Sequence, residues 1–254
     1  MERRWNVLLI IPVLAALLAF FLTENIIYTA LGFVVGYLIL QGLRFLLLPS
    51  GLHSAVRAFQ SGRLEEALAR TNQIIEDKPD RWEPYYLRAL IHFALSNLPA
   101  AEADAREAVE RKPDSDTNYV TLGQVLYAQT RFSEAEKAFA EAARLRGTEG
   151  LNQFHLGATL FHLERYQDAI PRLELAANLG TSNEQMELLA RYYLARSLQQ
   201  EGHEEEAADV YSDMQEHADA LDDLKRDLDS ASDYPARHLL QKDIAAIEKR
   251  LRVT

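Results

Sequence analysis

The chain has 254 residues, 48% of them hydrophobic, and a formal net charge of −11 at pH 7. Residues 1–48 contain three arginines and two glutamates, so the remainder carries −12. Such an acidic domain is unsuited to nucleic acid, because phosphate binding requires a basic face that releases counterions. Its lack of cysteine excludes disulfide bonds, thiol catalysis and cysteine metal ligands.

Residues 5–22 and 26–43 are two uncharged apolar stretches of 18 residues each. As helices they would be about 27 Å long, close to the ~30 Å hydrocarbon core of a bilayer. Only Thr23-Glu24-Asn25 separates them, which is enough for a tight turn. We therefore predict a transmembrane helical hairpin in residues 1–47. The alternative for residues 1–22 is a cleaved signal peptide, although no small-x-small cleavage site follows Leu22.

The cationic residues that flank the two stretches predict the orientation of the hairpin. Arg3 and Arg4 precede the first stretch, Arg44 follows the second, and the turn has neither lysine nor arginine. By the positive-inside rule, both termini and the domain that follows lie in the cytoplasm. Gly32 and Gly36 form a G-x-x-x-G spacing that favours close helix packing, either within the hairpin or between two copies of it.

Behind this hairpin, pairs of small residues twelve positions apart recur five times. Successive pairs are separated by 34, 34, 34 and 38 residues. A repeat of this length, in which each unit has the pattern of a helix–turn–helix, predicts a stacked α-solenoid. The pairs are Ala55/Ala67, Ala89/Ala101, Gly123/Ala135, Gly157/Ala169 and Ala195/Ala207.

The third copy shows the pattern most clearly. Its two helices carry Tyr119-x-x-Leu122-Gly123-x-x-Leu126 and Ala135-x-x-x-Phe139-x-x-Ala142. This pattern closely resembles the tetratricopeptide repeat, in which W-x₂-L-G-x₂-Y is followed by A-x₃-F and then by proline. In the second copy, Arg88 and Ala105 stand where larger apolar residues are commoner. The resemblance covers residues 48–217, with units at about 48–81, 82–115, 116–149, 150–187 and 188–217.

The resemblance implies that the first helix of each pair lines a concave groove. Positions three before, one after and four after the small residue would then point into the groove. They form an aromatic and largely apolar surface, which suits an amphipathic helix or an extended apolar peptide. The alternative is that some of these rings complete the packing between repeats. The candidates are Tyr86, Leu90, Phe93, Val120, Gln124, Tyr127, Phe154, Ala158, Phe161, Tyr192 and Arg196.

Residues 218–254 contain an amphipathic pattern after Pro235, with Leu240, Ile244, Ile247 and Leu251 on one helical face. Such a helix could cap the open end of the solenoid, occupy the groove in cis or pair with a second copy. Between Glu201 and Asp223 there are ten acidic residues and no lysine or arginine. This run is interpreted as a solvated helix face, with a docking patch for a basic partner as the alternative.

The predicted fold class is therefore all-α: an N-terminal transmembrane hairpin, a five-unit solenoid and a C-terminal amphipathic helix. No catalytic, phosphate-binding or metal-binding motif is present, so we expect no enzyme activity, cofactor or metal. The expected function is that of a membrane-anchored scaffold that recruits a protein or peptide through its groove. The alternatives are an assembly or quality-control factor for cell-envelope complexes, and a self-associating structural membrane protein.

Overall fold

The computed structural model describes residues 51–181, 183–230 and 237–251. The predicted transmembrane stretches 5–22 and 26–43, with Gly32 and Gly36, lie outside the described residues. None of the helices in those three ranges combines the length and the apolar character needed to cross a membrane. The chain divides into two compact units, Met1–Ser54 and Ala55–Thr254, and the account below concerns the second unit and the few residues that lead into its first helix.

The predicted all-α solenoid is confirmed. Within the described ranges the chain forms twelve α-helices and one 3-10 turn, with no strand. The first ten helices form five consecutive pairs, and each pair contacts the next. The helices are α1 (Leu52–Gln60), α2 (Leu64–Asp77), α3 (Glu83–Ala94), α4 (Leu98–Arg111), α5 (Asp116–Ala128), α6 (Phe132–Leu145), α7 (Gly150–His162), α8 (Tyr166–Leu179), α9 (Glu184–Gln200), α10 (Glu204–Asp213), α11 (Asp219–Ser230) and α12 (Arg237–Leu251).

The turn inside each pair has the same backbone conformation. A single residue with positive φ follows the end of the first helix. The backbone N–H of the next residue donates to the carbonyl oxygen of the residue five positions before that next residue, as in a Schellman motif. Two of the five residues are glycines, which adopt this conformation without steric cost. The five residues follow the same 34, 34, 34 and 38 spacing as the small-residue pairs; they are Gly62, Ser96, Thr130, Glu164 and Gly202.

The small-residue pairs lie where the two helices of each unit approach most closely. Seven of the eight alanines in these pairs are fully buried, and Ala207 is 1% exposed. A Cβ on Gly123 would lie 2.5 Å from Cε1 of Phe139, and a Cβ on Gly157 would lie 2.7 Å from Cγ of Leu173. Both distances are shorter than van der Waals contact, so the large residue of the second helix packs directly over the glycine of the first.

Polar contacts between neighbouring units also recur with the repeat period. The side-chain amide of Asn118 donates to the carbonyl oxygen of Ala108 at 2.8 Å, and Asn152 makes the equivalent bond to Ala142 at 3.4 Å. Each of these carbonyls also accepts from the backbone amide of its helix's C-cap residue, Lys112 or Arg146. The asparagine amide is therefore a second donor, and it joins the end of one unit to the first helix of the next. Interunit ion pairs follow the same period: Arg131–Glu102 at 2.5 Å and Arg165–Glu136 at 2.7 Å.

The longer final spacing of 38 residues is explained by an additional helical turn. Gly157 is the eighth residue of α7, whereas Ala195 is the twelfth residue of α9, which is 17 residues long. The side chain of Asn183 caps this early start by accepting a hydrogen bond from the amide of Met186 at 3.1 Å. The added turn contacts the C-terminal segment, because Gln185 donates to Asp227 in α11 at 2.7 Å.

The last two helices fold back onto the fifth pair. Helix α11 packs against α9 and buries four residues, which are Ala220, Leu221, Leu224 and Leu228. Helix α12 packs on α11, and the ion pair Lys225–Glu248 at 2.8 Å joins the two. Ile244 and Ile247 of α12 belong to the same apolar core as the repeats.

Candidate functional site

The first helices of units two to five lie side by side, since α3 contacts α5, α5 contacts α7 and α7 contacts α9. We call the surface that these four helices form the groove face. It is the surface that carries all the predicted groove residues. Its features follow from the helical period, because residues three or four positions apart share one side of a helix.

The structure brings five of the eleven predicted groove residues around one cavity of about 310 Å³. The five come from three successive units and are Phe93, Gln124, Tyr127, Phe154 and Ala158. Phe154 and Ala158 are buried, while the other three are half-buried. The cavity is walled mainly by aromatic and aliphatic side chains, which is typical of sites that receive an apolar group.

The other six predicted residues do not line this cavity. Tyr86, Leu90 and Val120 are half-buried on α3 and α5. The Phe161 ring packs on Tyr193, with ring centroids 4.8 Å apart. At the fifth unit, Nη1 of Arg196 donates to the hydroxyl of Tyr192 at 3.2 Å. Phe161, Tyr192 and Arg196 therefore contribute to packing beside the cavity.

Several cavity residues are absent from the sequence-based set. His155 and Tyr193 lie two positions before the small residue of their units, whereas the prediction used the position three before it. Met186 belongs to the added turn of α9, for which the spacing of 38 was the available signal, and Leu189 follows on the same helix. The remaining walls come from α6, α11 and α12: Phe139, Leu224, Leu239, Leu240 and Asp243.

Helix α12 lies against the groove face. The hydroxyl of Tyr193 donates to Oδ2 of Asp243 at 2.6 Å in a buried hydrogen bond. Burial raises the pKa of both Tyr193 and Asp243. The guanidinium of Arg250 lies 3.9 Å from the ring centroid of Tyr211. Helix α12 therefore contacts both α9 of the groove face and α10, the second helix of the last pair. These contacts agree with capping of the solenoid and with occupancy of the groove in cis.

Two histidines of α7 are held in apolar surroundings at this site. His155 stacks on Phe139 with ring centroids 4.9 Å apart, and His162 stacks on Phe132 at 5.1 Å. Burial lowers the pKa of each from 6.5 to about 4, and the charge of Lys242 on α12 further lowers the pKa of His162. Both imidazoles are therefore neutral at pH 7. No group of three histidine, aspartate or glutamate side chains that could hold a metal ion is present in the described ranges.

These lowered pKa values predict a pH dependence of stability. The unfolded chain binds protons near pH 6.5, whereas the folded chain resists protonation down to about pH 4. Stability is thus fully present above pH 6.5 and is lost as the pH falls towards 4. We expect the midpoint of urea unfolding to fall between pH 7 and pH 5. His162→Phe should reduce this fall by about half, since one of two similar groups is removed; an unchanged pH dependence in the variant would contradict the assignment.

Comparisons with known proteins agree with this architecture. A family model for the tetratricopeptide repeat matches residues 54–116 and 120–184, about half of the chain. Among solved structures, MamA 41-end from Desulfovibrio magneticus RS-1 is 17% identical to this chain, with a TM-score of 0.59. The similarity covers 65% of this chain and 91% of the MamA chain. YrrB, described as a TPR protein with an unusual peptide-binding site, is 23% identical, with a TM-score of 0.53. The similarity covers 70% of this chain and 92% of the YrrB chain. The curated proteins contain no sequence match.

These two solved structures share the fold at low sequence identity, and the family match spans units one to four. The recurrent turns and the buried small-residue pairs extend the same repeat through the fifth unit. The chain belongs to the tetratricopeptide repeat family.

Proposed function

We propose that this protein is a membrane-anchored scaffold that holds a segment of another protein against its groove face. The observation that carries the proposal is the apolar cavity of about 310 Å³, which is walled by aromatic rings from three successive units. A cavity of this kind receives an apolar anchor side chain, and such buried anchors contribute most of the energy of a protein interface. The partner segment is an amphipathic helix or an apolar peptide.

The chemistry of the site supports binding in preference to catalysis. Its polar groups are a neutral imidazole, a glutamine amide and a carboxyl group already bonded to Tyr193. They provide hydrogen bonds that orient a ligand, with no nucleophile beside a base. YrrB, which is described as having a peptide-binding site, offers a precedent for peptide recognition on a similar fold.

The membrane part of the proposal rests on the sequence alone. The apolar stretches 5–22 and 26–43 precede the first helix pair with little intervening sequence. An anchor in this position would tether the domain to the bilayer and raise the local concentration of a recruited partner near other membrane proteins. The arginines on either side of the apolar stretches support a cytoplasmic orientation of the domain by the positive-inside rule.

Photo-crosslinking in native membranes tests the proposal. A photo-reactive residue at position 90, beside the cavity on α3, is introduced into the parent and into the Phe93→Ala/Tyr127→Ala variant. We expect the crosslinked partner to fall at least tenfold in the variant, because two rings of the cavity wall are lost. The matched control is Leu175→Ala/Leu179→Ala on α8, where both leucines are exposed, and its crosslinking should equal that of the parent.

Equal crosslinking in the cavity variant and the parent, at equal helicity, would contradict a role for the groove face. Recovery of the protein in the soluble fraction after gentle lysis would contradict the membrane anchor. The two parts of the proposal are thereby tested separately.

A further inference from the structure

Helix α12 resembles a bound ligand more than a structural cap. It is the last helix in the described part of the chain, it is amphipathic, and it contacts the groove face with its apolar side. We infer that α12 occupies the partner's site in cis, and that the partner is an amphipathic helix with a larger apolar side chain where Leu240 now lies. The inference rests on the proposed function, since it names the kind of partner and the regulation of the same groove face.

The apolar face of α12 is divided between the cavity and the adjoining apolar core. Ile247 is fully buried, Ile244 is 7% exposed, and Leu240 lines the cavity. These three residues lie at i, i+4 and i+7, the spacing with which one helix enters a groove formed by others. A partner helix that uses the same surface therefore carries apolar residues at this spacing.

Polar contacts fix the position of α12 along the groove face. The buried bond from Tyr193 to Asp243 places a carboxyl group between the first two anchors of the helix. At the far end, beyond the groove face, Arg250 lies over the ring of Tyr211 on α10. A buried hydrogen bond that is lost leaves an unsatisfied polar group at a considerable cost, so a competing helix needs an acceptor at the position of Asp243.

The fit of α12 is incomplete at its N-terminal end. Leu239 and Leu240 face Phe93 and Tyr127 across the cavity of about 310 Å³. A pocket of this size admits water, so the apolar side chains along it stay partly hydrated. A helix with a tryptophan or phenylalanine in place of Leu240 would fill part of the cavity and bind more tightly than α12 itself.

The covalent connection gives α12 an advantage that a separate helix must overcome. A short tether keeps the helix at an effective concentration of about millimolar. A free peptide with the sequence of α12 consequently binds the intact protein weakly, whereas a peptide that also fills the cavity competes better. This arrangement keeps the groove face closed to weak ligands and open to a partner with the larger anchor.

The experiment uses the full chain and a fluorescein-labelled synthetic peptide of residues 237–251. Ile244→Asp/Ile247→Asp is expected to release α12 while leaving every residue of the groove face intact. Gln241→Asp/Ala245→Asp is the matched control, since it adds the same charge at two exposed positions of α12. Fluorescence anisotropy should show at least tenfold tighter peptide binding to the released variant than to the parent, and no gain for the control.

A second variant addresses the case in which Ile244→Asp/Ile247→Asp unfolds the fifth unit. Asp243→Ala removes only the acceptor that α12 offers to Tyr193, and should give a smaller gain in peptide binding, of about threefold. The peptide with Leu240→Trp should bind the released variant several-fold more tightly than the native peptide. In the parent it should also increase hydrogen exchange of α12, because it displaces that helix.

Equal weak binding of both peptides to the parent, the control and both α12 variants would overturn the inference and make α12 a permanent part of the fold. That result leaves the proposed function intact if photo-crosslinking still depends on Phe93 and Tyr127. Conversely, peptide binding that appears only after release supports cis occupancy even if the membrane partner proves independent of these rings.

Discussion

Replacing Phe139 with alanine is expected to lower the free energy of unfolding by about 3–5 kcal/mol. The ring is 1% exposed, packs over Gly123 and stacks on His155. Gly123→Ala alone should cost about 1–3 kcal/mol, because a Cβ there would lie 2.5 Å from the same ring. Urea unfolding followed by far-ultraviolet circular dichroism, which reports loss of helix, measures both changes.

The double variant Gly123→Ala/Phe139→Ala should be less destabilised than the sum of the two single variants. Once the ring is removed, the alanine Cβ enters the space that it vacated. The second unit provides the precedent, because Ala89 and Ala105 occupy the equivalent positions 34 residues earlier and are 0% and 1% exposed. Strict additivity in this double-mutant cycle would show that the two positions do not share one contact.

Arg88→Leu is expected to lower the free energy of unfolding by about 3–5 kcal/mol, because it leaves a buried carboxylate without its ion pair. Arg88 donates two hydrogen bonds to Asp104, at 2.8 and 2.6 Å, and Asp104 is 5% exposed. A third bond, to Asn72 at 2.8 Å, links the second unit to the first. The midpoint of urea unfolding, followed by circular dichroism, measures the loss.

Removing both charges should restore the stability. Arg88→Leu/Asp104→Ala reproduces the third unit, in which Leu122 and Ala138 occupy the equivalent positions and are 7% and 6% exposed. Replacing a buried ion pair with well-packed apolar residues is often neutral or stabilising. If the double variant remained as unstable as Arg88→Leu, the lost bond to Asn72 would be the dominant effect, and Asn72→Leu in the same background would then be the decisive comparison.

The added turn of α9 connects the repeat pattern to the site. Its residue Met186 lines the cavity, and Gln185 bonds to α11. The first four units have first helices of 9, 12, 13 and 13 residues, whereas α9 has 17. The departure from the 34-residue period therefore marks the place where the solenoid receives its C-terminal helices.

Much of the fold was determined by local sequence. The small residues, the helix-ending turns and the Asn118 and Asn152 bonds all act within one unit or between neighbours, so a pattern with a period of 34 residues predicts them. The five helix pairs, and the helices that carry the groove residues, follow from that period. The periodic pattern also identified Arg88 as unusual, although its partner Asp104 was not visible until the helices were packed.

Only the tertiary structure decided where α12 packs. An amphipathic pattern shows which face of a helix is buried but not the surface against which it is buried. The pattern of Leu240, Ile244 and Ile247 is therefore compatible with a helix that caps the solenoid, occupies the groove in cis or pairs with a second copy. The cavity joins Phe93 to Asp243, two residues separated by almost two-thirds of the chain. Contacts over such distances depend on the summed geometry of several units, which no local pattern encodes.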